Sequence, residues 1–234
     1  CDGAFAEFVA APASNLLPVP DAVSFEEAAL VEPSAAAAHA VRLGEVKAGD
    51  SVVIFGAGPV GLLAAQWARI QGAAHVLIVD TNSARLPYAE QLGFTNLCTP
   101  RETDVSRQVY ALNSLGADVV IEASGASEAL EAGIHCARSF GRIVLLGIPE
   151  GDATISPGAY AIMLRKELRV QGAWNSVYAR LPGNEWALVL AAMASGQLRA
   201  APLISHRCAY DALIPLLGEI HDGATPFMKV LLTW

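Results

Sequence analysis

The chain has 234 residues, with 15 Lys and Arg against 23 Asp and Glu, for a formal net charge of −8. That acidity removes the sequence-independent pull on a phosphate backbone and excludes nucleic acid as an expected partner. Hydrophobic residues make up 53% and charged residues 16%, which excludes intrinsic disorder and supplies a sizeable core.

The opening residues differ in character from the rest. The chain begins at Cys1 rather than Met, and the expectation is that it starts partway through a larger protein. Phe5, Phe8 and Val9 suggest a short strand, after which Pro12, Pro18, Pro20 and Pro33 punctuate an irregular stretch. An Ala-rich helix is predicted over 34–43, and Lys47-Ala48-Gly49-Asp50 is a polar turn.

From there strand-like runs alternate with helical patterns. Strands are predicted at 51–55, 76–79, 119–121, 143–146 and 168–174, with helices at 59–71, 83–92, 127–138 and 185–195. The strands are continuously apolar, which means both sheet faces are covered. Strand–helix alternation at this spacing implies a parallel, doubly wound sheet. Residues 51–68 carry no charge, but Gly56, Gly58 and Pro59 break the run, so no membrane span is expected. After Gly196 the alternation stops: 202–206, a helix near 211–221 and a strand at 228–233 do not continue it. The expected organisation is residues 1–33, then a sheet domain over 34–197, with residues 198–234 rejoining the first segment.

The most informative motif is Gly56-Ala57-Gly58-Pro59-Val60-Gly61, directly after a strand and opening a helix. Gly56 permits the tight turn, Gly58 leaves room for a diphosphate, and Gly61 lets the helix pack on the strand. The helix N-terminus offers unpaired N–H groups, and Pro59 suits the first helical turn. Asp80 ends the next strand, 19 residues after Gly61. A carboxylate there can accept from both hydroxyls of an adenosine ribose and would repel a 2′-phosphate, with no cation at Thr81 or Asn82 to offset it. NAD is therefore favoured over NADP. The alternatives are that Asp80 caps the following helix and that Arg85 is a solvated charge rather than a further cofactor contact. An S-adenosylmethionine site, the nearest rival, usually carries an acid just before the glycines, where Ile54 and Phe55 stand here.

Two later loops, Ala123-Ser124-Gly125 and Gly147-Ile148-Pro149, fall at carboxyl ends of strands, where a doubly wound sheet binds its ligand. Small residues would let a nicotinamide ring lie against the backbone there, or they are ordinary turns. Cys1, Cys98, Cys136 and Cys208 form no CxxC pair, so neither a disulfide framework nor a local zinc site is legible, and a reducing cytoplasm is the natural setting.

These residues resemble the zinc-containing medium-chain dehydrogenase/reductase family, in its polyol dehydrogenase branch. The resemblance covers Asp2-Gly3-Ala4-Phe5-Ala6-Glu7-Phe8, Val31-Glu32-Pro33, Lys47–Asp50 with the glycine motif, Pro202-Leu203-Ile204-Ser205-His206 and Lys229-Val230-Leu231-Leu232. Gly172-Ala173-Trp174-Asn175-Ser176 and Pro182-Gly183-Asn184-Glu185-Trp186 are most similar to the galactitol-1-phosphate 5-dehydrogenase subgroup. The resemblance implies a Rossmann domain flanked at both ends by remnants of a GroES-like β domain. It implies NAD, a Zn2+ ion in the intact protein, and a polyol or polyol-phosphate substrate. It also implies a homodimer or homotetramer built on the edge strand at 168–172.

Within that resemblance Trp174 and Asn175 lie near the nicotinamide, or Trp174 is a core residue. Glu32 matches a zinc-ligand position, or is an exposed acid before a proline. The Cys and His ligands of the family have no counterpart here, so the chain as given is expected to bind NAD without dehydrogenase activity. Arg165 and Lys166 are candidate contacts for a substrate phosphate, or solvated charges. The histidines are scattered.

Overall fold

The computed structural model describes residues 5–6, 8–100, 104–177 and 184–233. Phe5, Phe8 and Val9 lie outside any strand and are 68%, 90% and 58% exposed, which corrects the expected opening strand. A strand needs a neighbour that takes up its N–H and C=O groups, and among the described residues no strand pairs with this segment. Asp2 to Ala4 and Glu7, the rest of that expectation, fall outside the described residues, as do Pro182 and Gly183.

After a 3-10 turn at Ala13–Asn15, the first α-helix is α1 (Phe25–Ala28), opened by reciprocal capping between Ser24 and Glu27. Helix α2 (Val31–Leu43) starts three residues before the predicted point and takes Pro33 into its first turn, where a missing N–H costs nothing. The wound portion follows as β1 (Ser51–Phe55), α3 (Pro59–Ile70), β2 (His75–Val79), α4 (Leu86–Gln91) and β3 (Leu97–Cys98). A 3-10 turn over Ser83–Arg85 replaces the start of the helix predicted at 83–92.

Next come α5 (Val105–Leu112), β4 (Ala117–Glu122), α6 (Ser127–Cys136), β5 (Ala137–Leu145), α7 (Pro157–Arg165), β6 (Arg169–Gly172) and α8 (Glu185–Ala194). Helices α5 and α7 were not expected. Helix α5 buries only Val105 and Val109, too few for a clear period. Pro157-Gly158 reads as a turn, yet the Ser156 hydroxyl caps Ala159 and the proline serves as the first helical residue.

All neighbours in the sheet are parallel, in the order β3-β2-β1-β4-β5-β6. Alternate residues of β1 supply two cores: Val52 and Ile54 pack with α2, α3 and α8, whereas Val53 and Phe55 pack with α5, α6 and α7. Two-sided burial is the physical reason these strands read as unbroken apolar runs. At the edge, every residue of β6 is exposed.

The chain closes with β7 (Ile204–Cys208), α9 (Tyr210–His221) and β8 (Lys229–Leu232), the two strands forming a separate parallel pair. This portion is tied to much earlier residues. Both ends of the buried Gln66 amide bond the Arg199 backbone, and the Arg207 guanidinium grips the Glu26 carboxylate at 2.6 and 2.7 Å. The second pair is exposed and contributes little to stability. Among the described residues no helix is long and apolar enough to cross a membrane.

Candidate cofactor site

The three glycines after β1 answer to three different constraints. Gly56 has φ of +100°, which L side chains rarely adopt, and a Cβ there would press to 3.1 Å on the Ala123–Ser124 backbone. A Cβ on Gly61 would sit 1.9 Å from the Gly56 carbonyl oxygen, so α3 can approach β1 this closely only without a side chain. Gly58 is the opposite case: an added Cβ would meet nothing within 4 Å, and its φ of −72° is ordinary. Among the described residues no contact explains the absence of a side chain at Gly58. It caps α3, whose first residue is Pro59, so the open space lies at the positive end of the helix.

Asp80 is only 7% exposed. Its Oδ2 accepts the Ala57 N–H at 2.7 Å, and its Oδ1 accepts the Asn82 N–H at 2.7 Å. It does not cap the next helical turn. Asn82 does, by accepting from the Ala84 N–H. Arg85 is not a purely solvated charge either, because its guanidinium lies 3.6 Å from Asp80 Oδ2. A cation therefore does stand beside Asp80, though not at the adjacent positions 81 and 82.

The loops after β4 and β5 interlock backbone to backbone. A Cβ on Gly125 would fall 2.2 Å from the Ile148 oxygen, and one on Gly147 would fall 2.1 Å from the Gly125 nitrogen. Their smallness is required first by each other.

A cleft of about 690 Å3 runs across these carboxyl ends. Gly56, Gly58, Asp80, Arg85, Ala123, Ser124 and Gly125 line it, whereas Pro59, Val60, Gly61, Gly147, Ile148, Trp174 and Asn175 do not. Trp174 is 77% exposed, so it is no core residue, and Asn175 follows with φ of 59°. Sequence reasoning missed Pro100, Glu128, Glu150 and Asp152 on the cleft rim. Their only signal was a place after the third, fourth and fifth strands, in loops for Pro100, Glu150 and Asp152 and in the first turn of α6 for Glu128. It also missed Glu122, a buried acid at the end of β4.

Glu32 is exposed in the first turn of α2, and among the described residues no group of three or more His, Cys, Asp or Glu could hold a metal ion. The described residues therefore do not fit a zinc site. Cys98 and Cys136 are buried, and burial is the main cause that pushes the Cys136 thiol up from its ordinary value. Lys166 is occupied: its Nζ donates to the His135 and Ala137 carbonyls, satisfying the end of α6 rather than awaiting a phosphate.

A parallel six-stranded sheet of this order, with a glycine turn after its first strand, defines a Rossmann-type α/β domain. The chain belongs to the zinc-binding dehydrogenase family, which matches residues 59–195.

Among curated relatives, it is 29% identical to galactitol 1-phosphate 5-dehydrogenase of Escherichia coli strain K12, over 99% of this chain and 67% of the relative. It is 33% identical to a probable D-xylulose reductase A of Aspergillus fumigatus, over 98% of this chain and 60% of that protein. The chain thus spans three-fifths to two-thirds of the length of these relatives.

Among solved structures, galactitol-1-phosphate dehydrogenase from Escherichia coli superposes with a TM-score of 0.89, at 29% identity over 99% of this chain and 67% of that one. A short chain alcohol dehydrogenase from Escherichia coli CFT073, complexed with NADH, gives 0.85 at 25% identity over 100% and 66%. A putative zinc-binding dehydrogenase from Sinorhizobium meliloti, bound to NADP, gives 0.78 at 28% over 92% and 61%.

Proposed function

We propose that the chain is the cofactor-binding part of a dehydrogenase that oxidises a secondary alcohol of a polyol or polyol phosphate, with NAD as the preferred dinucleotide. The observation that carries this reading is the open space over Gly58 at the head of α3, with the Asp80 carboxylate one crossover away. An anionic diphosphate placed there meets free N–H groups and the helix dipole. Asp80 keeps further lone pairs beyond those used by Ala57 and Asn82, enough to accept from a ribose diol.

Several groups in the chain have a task in this reading. The glycine turn binds the diphosphate, Asp80 orients the adenosine ribose, and Ser124 and Gly125 border the space for the other half. When bound, the nicotinamide supplies the acceptor for a hydride from the carbinol carbon. No step is assigned to zinc, because the described residues offer it no ligand set. The alcohol-binding groups and the acceptor of the alcohol proton are likewise unassigned among them. We therefore expect this chain to bind the dinucleotide without turning over an alcohol. The proposed organisation remains 1–33, 34–197 and 198–234.

Support also comes from the relatives, whose names are those of polyol and alcohol dehydrogenases, and from neighbours holding NADH or NADP. A second reading, a module that senses the dinucleotide without catalysis, is favoured by the intact glycine turn beside an exposed, unclustered Glu32.

Calorimetric titration of the chain with NADH tests the shared core: heat of association with a 1:1 endpoint is expected, and none sinks both readings. Turnover of galactitol 1-phosphate by a longer form of the protein, and not by this chain, separates the first reading from the second.

A further inference from the structure

The carboxyl end of β4 carries a buried acid that the glycine motif does not require. Glu122 is 3% exposed and pairs in register with Phe55 of β1 and Leu145 of β5. Its Oε1 accepts the Ser124 N–H, the Ser124 hydroxyl and the Gly125 N–H, and its Oε2 lies 3.1 Å from the same Gly125 nitrogen. The Ser124 oxygen in turn accepts the Ala126 N–H at 3.2 Å, leading into α6.

The main chain of the same residue faces the other loop. The Glu122 carbonyl accepts the N–H groups of Leu146 and Gly147, both at 2.8 Å. One residue therefore holds the loop after β4 by its side chain and the loop after β5 by its backbone. Those are the two loops that interlock through Gly125 and Gly147. No ion pair involves Glu122 among the described residues, so its charge is met by converging N–H and O–H donors. An ionised carboxylate suits that convergence, since it accepts at every lone pair and donates nowhere.

The sheet order fixes what these loops border. The glycine turn after β1 lies between Asp80, just after β2, and the Ser124 loop after β4. A dinucleotide with its diphosphate at the turn and its adenosine ribose at Asp80 extends its nicotinamide half towards the β4 and β5 loops. We infer that Glu122 is a positioning residue for the nicotinamide side of the cleft, presetting Ser124 and Gly125 against Gly147 and Ile148 before ligand arrives. This rests on the dinucleotide reading above.

Two measurements on wild-type chain and Glu122→Gln test it. In ligand-free protein, hydrogen exchange at the Ser124 and Gly125 amides rises roughly tenfold in the variant, the scale of a lost bond to a charged acceptor. Exchange at Ala57 and Asn82, which bond Asp80, stays unchanged. In calorimetry with NADH and with ADP-ribose as probes, the variant binds NADH roughly tenfold more weakly and ADP-ribose as before.

Unchanged exchange at Ser124 and Gly125 overturns the inference. So does unchanged NADH affinity, and so does equal weakening of both probes, which marks a general loosening. If wild-type protein takes up neither probe, the dinucleotide reading itself falls and the positioning role with it. Ser124→Ala, at an exposed position, removes the hydroxyl link with less demand on folding. A smaller loss confined to NADH is expected there, and no loss also counts against the inference.

Discussion

The Asp80 carboxylate accepts the Ala57 N–H at 2.7 Å, so the end of the second strand is bonded directly to the turn after the first. The same carboxylate has the Arg85 guanidinium 3.6 Å away. Replacing Asp80 by Asn removes the charge that would repel a 2′-phosphate and leaves Arg85 without its partner. The NADPH-to-NADH affinity ratio should then rise by about tenfold or more, as expected for a newly available charge-assisted contact. Paired titrations of wild type and variant check this, and an unmoved ratio removes Asp80 from cofactor selection.

Gly61 and Gly58 should respond to Ala in opposite ways. At Gly61 the new methyl carbon lands 1.9 Å from a backbone oxygen, which neither side can vacate, so stability falls by about 2 kcal/mol or more. At Gly58 nothing lies within 4 Å, so the melting temperature should barely move, with a change within about 1 kcal/mol. NADH binding should nonetheless be lost at Gly58. Thermal melts beside calorimetry separate the two, and a Gly58→Ala chain that binds NADH normally contradicts the placement of a diphosphate there.

The edge strand β6 leaves all four of its residues exposed, including Val170 at 38%. One side of its backbone is paired with β5, and an unpaired edge of this kind invites a second copy. Sedimentation should give at least twice the mass of one chain, and Val170→Lys should shift the population towards monomer. A wild-type monomer at micromolar concentration goes against the expected homo-oligomer.

Cys136 gives a signed dependence on pH. Burial raises its thiol in the folded state, opposed by the smaller effect of its bond with Ser106. An unfolded cysteine begins to ionise near pH 8.5, roughly. Above that point the unfolded chain binds fewer protons than the folded one, so stability falls as pH rises, and below it this group contributes no slope. Urea midpoints at neutral and alkaline pH should diverge less in Cys136→Ala than in wild type. An equal divergence shows that other groups set the alkaline limb.

The strands over 51–55 and 76–79 were legible because burial on both faces writes an uninterrupted apolar run. The glycine turn was legible because the positive φ of Gly56 and the contact of Gly61 with the Gly56 carbonyl both act within six residues of sequence, although the approach of Gly56 to the Ala123–Ser124 backbone does not. Glu122 was not, since a glutamate ending a strand looks like any polar terminus until its five donors from two loops are assembled. The Arg85–Asp80 contact was hidden in the same way by an intervening 3-10 turn that brings position 85 back over position 80. Trp174 was only half legible: an aromatic at a strand end suggests a core residue or an active-site wall, and its 77% exposure removes the first of these.

Gln66 is wholly enclosed, and both ends of its amide meet the backbone of Arg199, 133 positions later. On the ribosome, where a chain grows residue by residue, the helix bearing Gln66 must wait until Arg199 has emerged before that amide gains its backbone partners. The parallel sheet can assemble from earlier residues in the meantime. Pairing of this one side chain therefore follows synthesis of position 199, and an arrested nascent chain ending before it should display Gln66 still hydrated.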